Sequence, residues 1–182
     1  CARHIHLLKQ DPYTGDIYLG TGDENEESGI YVSHDNCETF ELLRKGKQIY
    51  RTLSFMFTPT HIVWNTDSEK APQYLVSMSR DKGLSNDSLK SYPLINSALW
   101  CSVPYKNMWI MSSNSEATYY DDNHRVYAIT INEDGVPTAY SLIAEKSIKS
   151  CYHQLFIQGI DNEGVFWFYD TEYRCTRKYP FM

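Results

Sequence analysis

One arrangement of residues recurs four times along this chain, and that recurrence limits the possible folds more than any single motif does. Each unit reads as an apolar strand, a short turn, and a second strand that ends in polar residues. The pairs are His4–Gln10 with Asp16–Asp23, Tyr50–Phe57 with His61–Asp67, Ala98–Val103 with Asn107–Ser113, and Tyr152–Ile157 with Val165–Asp170. The turns between them are Asp11-Pro12-Tyr13-Thr14-Gly15, Thr58-Pro59-Thr60, Pro104-Tyr105-Lys106 and Asp161-Asn162-Glu163-Gly164. Pro fixes φ and Gly permits positive φ, so these residues punctuate a chain for a physical reason. The aligned second strands begin at Ile17, Ile62, Met108 and Val165, at intervals of 45, 46 and 57 residues.

Third strands follow at Gly29–Ser33, Gln73–Ser79 and Arg125–Ile131, with a partial one at Tyr173–Tyr179; fourth strands fit Thr39–Arg44, Ala139–Glu145 and Leu89–Ile95. Pro93 cannot donate to a ladder, so the last of these suits only a sheet edge. No stretch carries convincing helical periodicity. The predicted fold class is all-β. A repeat of about 40–50 residues with four strands is the size of one propeller blade. The expected architecture is therefore one domain over residues 1–182, a β-propeller of about four recognisable four-stranded blades near 4–45, 48–95, 97–146 and 151–182. The fourth unit stops after its third strand, and open edges invite pairing. The expectation is a part of a six- or seven-bladed ring, or completion by oligomerisation through open sheet edges.

Composition narrows the function classes. The chain has 182 residues, 42% hydrophobic and 22% charged, an ordinary globular balance. Its net charge of −6 repels a phosphate backbone, so no nucleic-acid partner is expected. No apolar run reaches the roughly 18 residues of a membrane span. The opening residues Cys1 to His6 alternate like a strand rather than a secretory leader, and Cys1 is expected to mark a fragment boundary. The five cysteines, at 1, 37, 101, 151 and 175, contain no CxxC pair and read as buried free thiols.

The segment Ser33-His34-Asp35-Asn36-Cys37-Glu38-Thr39-Phe40 resembles the Asp-box, S-x-D-x-G-x-T-W/F, of sialidases and related glycan-active propellers. The resemblance implies that Ser33, Asp35, Thr39 and Phe40 form a structural turn between the third and fourth strands of a blade. Asp35 would accept bonds from nearby amides, and Phe40 would fill the gap between blades. Cys37 stands where the motif carries Gly, which predicts a strained backbone there. The stretch from His4 to Asp67, with Thr21-Gly22-Asp23 and Tyr50-Arg51, also looks like bacterial proteins loosely grouped as glycosyl hydrolases. The resemblance implies a glycan or oligosaccharide partner and an extracellular or periplasmic setting. The three-arginine grip of strict sialidases is not carried over, because Arg51, Arg125 and Arg174 sit in no diagnostic motif.

Function on a propeller collects on the face opposite the Asp-box turns. The loops there carry Asp23, Asp67, Glu116 and Asp170, and the entering strands add His4, His6, Tyr50 and Arg51. Glycoside hydrolysis uses two flanking carboxyl groups, and Asp67 with Glu116 is the expected catalytic pair. Arg51 can clamp a carboxylate, while Trp64 and Tyr119 can stack on a sugar face. Together with His4, His6, Asp23, Tyr50 and Asp170 these form the expected ligand-binding set. The acidic run Asp23-Glu24-Asn25-Glu26-Glu27 raises calcium as a cofactor, though it lacks an EF-hand's spacing. His4 and His6 share a strand face, yet the sequence offers no third ligand, so no metal site is assigned. The competing reading is a non-catalytic scaffold that uses the propeller face for protein contacts.

Overall fold

The computed structural model describes residues 3–68, 72–81, 89–94, 99–113, 123–146 and 155–180. Within them the chain forms four antiparallel sheets and a single 3-10 turn, Gln48–Tyr50. The first sheet is β1 (His4–Gln10), β2 (Ile17–Gly22), β3 (Gly29–Ser33) and β4 (Glu41–Lys45). The second is β5 (Phe55–Phe57), β6 (His61–Asn65), β7 (Gln73–Ser79) and β8 (Leu89–Leu94). The third is β9 (Leu99–Tyr105), β10 (Met108–Ser113), β11 (Asn123–Ile131) and β12 (Pro137–Lys146), and the fourth is β13 (Leu155–Ile160), β14 (Val165–Asp170) and β15 (Cys175–Pro180). Each sheet is a meander in which sequence neighbours pair. The fourth has three strands among the described residues.

Alternation along the strands explains how the sheets adhere. In β5 the ring of Phe55 enters one core and the next side chain, Met56, enters another. In β6, Ile62 and Trp64 face the first core while Val63 faces the second. Period-two geometry divides consecutive apolar residues between two faces, so a sheet covered on both sides reads as an unbroken apolar run. Ile110 and Met111 of β10 are divided in the same way. The result is one apolar cluster between each successive pair of sheets. Tyr18, Ile30 and Val32 meet the second sheet; Leu75 and Leu94 meet Tyr127 and Ile129; Val126 meets Phe166 and Phe168.

One expected strand is shorter than its sequence suggests. Tyr50–Phe57 pairs only over Phe55–Phe57, because the preceding backbone makes local bonds instead. The Tyr50 and Arg51 amides donate to the Lys47 and Gln48 carbonyls at 3.0 Å, and the Ser54 amide donates to the Thr52 hydroxyl at 3.2 Å. Such bonds compete with a ladder. Pro93 sits on β8, at the edge of its sheet, where a missing donor costs no ladder bond.

Polar pins join the sheets at the end that carries the turns within each strand pair. The Asp11 carboxylate is wholly buried, caps its own turn through the Tyr13 amide at 2.9 Å, and meets Arg80 of the second sheet's side at 2.6 Å. Lys9 reaches from β1 to the Phe55 carbonyl at 2.9 Å and the Ser102 hydroxyl at 2.6 Å, so the first strands of three sheets lie close together.

Candidate functional site

The other end of the first two sheets gathers a polar cluster. His4 pairs with Gly22 across β1 and β2, so the start of β1 and the end of β2 share that end of the sheet. The register slips between Ile5 and Leu7, leaving His6 as the extra residue of a bulge, a device that re-aims a side chain. Both imidazoles reach the carboxylate just past β2. His4 Nδ1 lies 2.8 Å from Asp23 Oδ2, and His6 Nε2 lies 3.4 Å from Asp23 Oδ1.

The second sheet supplies the other half. The Asp67 amide donates to the Arg51 carbonyl at 2.9 Å, which ties the segment before β5 to the end of β6. Their side chains then pair, with Arg51 Nε 3.1 Å from Asp67 Oδ2. Arg51 Nη2 lies 3.7 Å from Asp23 Oδ1, and His6 Nδ1 lies 3.9 Å from Asp67 Oδ2. Arg51, Asp67 and the His6 ring are buried, whereas the His4 side chain is 66% exposed. Gln48 of the 3-10 turn donates to the Asp23 carbonyl at 2.9 Å and fixes the loop that presents the carboxylate. A cleft of about 530 Å³ opens over this group, lined by Arg3, His4, Asp23, Glu24, Gln48 and Arg51 among others.

The titration behaviour follows from this packing. Burial pushes the His6 imidazole below its usual value, against the opposing pull of Asp23. For Asp23 burial works upward, but the bonds from His4 and His6 and the charge of Arg51 outweigh it and hold the carboxyl below the usual range.

Gly22 belongs to this site although its role is invisible without coordinates. A Cβ there would come within 2.6 Å of the His6 ring and 3.0 Å of Arg51 Cγ. Only a residue without a side chain lets both groups close on Asp23. Gln48 is the other contributor that sequence reasoning missed; its sole signal was a polar residue placed just before the expected strand.

The structure thus brings together His4, His6, Asp23, Arg51 and Asp67. The other expected ligand contacts lie elsewhere. Trp64 is 1% exposed within the first core, with its indole donating to the Ile49 carbonyl at 2.8 Å, so it offers no face to a sugar. Tyr50 is buried in the same core. Both residues read as surface aromatics because strand alternation alone does not say which face is covered twice. Asp170 is fully buried and holds the β14–β15 turn, accepting from the Glu172 amide at 3.0 Å and pairing with Arg177 at 2.8 Å. Glu116 and Tyr119 lie outside the described residues. Within the acidic run, Glu27 is engaged by Arg3 at 3.2 Å, and the Glu24 carbonyl accepts from the Ser28 amide at 2.9 Å.

At the opposite end, the segment from Ser33 to Thr39 closes the β3–β4 turn around one carboxylate. Asp35 accepts from the Ser33 hydroxyl at 2.8 Å, from the Thr39 amide at 2.9 Å and from the Thr39 hydroxyl at 2.5 Å. These bonds, led by the Thr39 hydroxyl, hold its carboxyl down at about 2. Cys37 has φ +72°, a left-handed conformation that strains a side chain where the motif carries Gly, and its thiol is exposed rather than buried, as is that of Cys175. Phe40 differs from expectation. It is 36% exposed and fills no gap between sheets, because the neighbouring core closes on Tyr18, Ile30 and Val32 instead.

Fold and site together define an all-β protein of successive antiparallel sheets that carries a polar cleft lined by imidazoles, carboxylates and a guanidinium. No model of a known protein family matches the chain, and neither does any curated protein. Among the described residues no helix is long and apolar enough to cross a membrane.

Proposed function

We propose that this chain is an arc of an Asp-box-like β-propeller whose polar cleft binds a glycan. One observation carries the proposal. His4 and His6, Asp23, Arg51 and Asp67 arrive from four separate segments and converge under one open cleft. A hydroxyl-rich ligand needs donors and acceptors packed at this density. The four meander sheets with an apolar cluster in each joint, and the carboxylate-centred turn at Asp35, support the propeller reading.

The reading favours binding over turnover. Asp67, one of the two expected catalytic carboxyls, is buried against Arg51 and is not free to protonate a leaving group. The test is a glycan array of neutral, uronic and sialic structures, probed with the wild-type chain and with Asp23→Ala and Gln48→Ala. Glycan binding that both variants weaken tenfold or more supports the proposal; no glycan signal from a folded chain rejects it.

A second reading, a scaffold for protein contacts, draws on the opposite end. There a cleft of about 590 Å³ is lined by Tyr13, Phe57, Pro59, Pro104, Met108 and Trp109. Prolines and aromatics, with Lys9, Lys106 and Glu133 among them, suit a peptide better than a sugar.

A further inference from the structure

We propose that His4, His6 and Asp23 form a binding site for a first-row divalent transition metal ion. Each of the three offers one ligand atom, and these atoms all lie within 4.8 Å of one another. The closest pair, His4 Nδ1 and Asp23 Oδ2, stands 2.8 Å apart, and His6 Nε2 stands 3.4 Å from the other carboxylate oxygen. An ion with ligands at about 2.0–2.1 Å needs neighbouring donors roughly 3 Å apart. Both imidazoles stand near that spacing from the carboxylate, and their own donor atoms lie within 4.8 Å of each other.

The donor set selects the class of ion. Two imidazoles and one carboxylate suit zinc, cobalt, nickel or ferrous iron; calcium and magnesium want oxygen ligands alone. Three protein ligands on the rim of an open cleft leave coordination positions for water or a ligand. The surroundings fit a cation as well. Asp23 and Asp67 carry two formal negative charges against the single positive charge of Arg51, and Arg51 is drawn toward Asp67 at 3.1 Å rather than Asp23 at 3.7 Å. Asp67 also stands 3.9 Å from the far nitrogen of the His6 ring, where a carboxylate commonly orients a ligating imidazole. His6 is held in place by burial, and its bulge aims it at Asp23. His4 is exposed and free to adjust. A half-rigid, half-adaptable triad is able to accept an ion without rebuilding the fold.

This inference does not depend on the glycan reading, since metal binding is measured with no sugar present. The experiment titrates zinc and cobalt into the full chain and into His4→Ala, Asp23→Asn and a control, His34→Ala, whose imidazole pairs with Asp16 away from the cleft. Calorimetry is expected to give one equivalent of zinc, weakened at least tenfold by His4→Ala and by Asp23→Asn and unchanged by His34→Ala. Cobalt is expected to give d–d absorption bands without a thiolate charge-transfer band. His4 is exposed, so its variant separates loss of a ligand from loss of the fold; a circular dichroism spectrum checks this. Absence of saturable zinc binding overturns the proposal. So does zinc binding that survives both variants, or a thiolate band that puts the metal on a cysteine.

Discussion

Cys37 is the residue at which sequence and geometry speak most directly to each other. The segment Ser33 to Phe40 matched a turn motif with one discrepant position, and that position adopts φ +72°. A side chain in the left-handed region costs about 1–2 kcal/mol that glycine does not incur, partly offset by the greater freedom glycine has when unfolded. Cys37→Gly is therefore expected to raise the unfolding free energy by up to about 1 kcal/mol, read as a higher denaturation midpoint; an unchanged or lower midpoint would show the turn to be relaxed. Asp35 next to it gives a pH test. Its folded value, about 2, lies below the ordinary carboxyl value of 3.8. Its contribution to stability is thus complete above that ordinary value and is lost as pH falls toward the folded value. The melting-temperature gap between wild type and Asp35→Asn should narrow from about pH 5 to about pH 2, and a gap that stays constant would reject the linkage. At this scale the sequence was legible wherever a residue bonds its own neighbours. It was not legible for Gly22, whose importance comes from His6 and Arg51 arriving from elsewhere.

Elements were legible in proportion to how local their causes are. β3, β7 and β14 occupy the residues that alternation and turn chemistry predict, Gly29–Ser33, Gln73–Ser79 and Val165–Asp170. The element before β5 was misread because the Thr52 hydroxyl satisfies the Ser54 amide and carbonyl, backbone groups that a strand would use. Trp64 and Tyr50 were assigned to a binding face for a related reason: a strand's pattern shows two faces but not how many sheets cover them. Those double-covered strands should also be the costly ones to damage. Met56→Ala empties a fully buried site in the second core and is expected to cost about 2–5 kcal/mol. Trp167→Ala, on a strand face 38% exposed, should cost well under half of that. Urea denaturation of both variants decides the point, and equal costs would mean that the sheets do not share cores as described. Gly22→Ala connects element to site. Forcing a Cβ within 2.6 Å of the His6 ring should lower zinc affinity at least tenfold with little loss of secondary structure; unaltered affinity would show that the β1 bulge can yield.

At the scale of the whole molecule, the two end sheets present a shared problem. On the first sheet, Leu8, Leu19, Tyr31 and Leu42 are register partners across all four strands, so they lie on one face, and Leu8 and Leu42 are 56% and 53% exposed. On the fourth, Trp167 and Tyr169 are 38% and 36% exposed on the side away from the third core. Every internal joint buries the trailing face of one sheet against the leading face of the next. Among the described residues nothing covers the leading face of the first sheet or the trailing face of the fourth. By that logic a second copy of this chain offers what each lacks, and the contact is head to tail. Head-to-tail contacts either close or grow without limit. On the propeller reading proposed above, two copies of these four sheets fall within the roughly four to eight blades that close a ring, whereas three copies exceed it. On that reading the 182-residue chain is expected to sediment as a closed dimer. Leu8→Glu with Leu42→Glu should give monomers, and Trp167→Glu alone should do the same, because each variant spoils one half of the same joint. A chain that stays monomeric at high concentration, or a dimer indifferent to both variants, would show that these apolar faces are not a mutual interface.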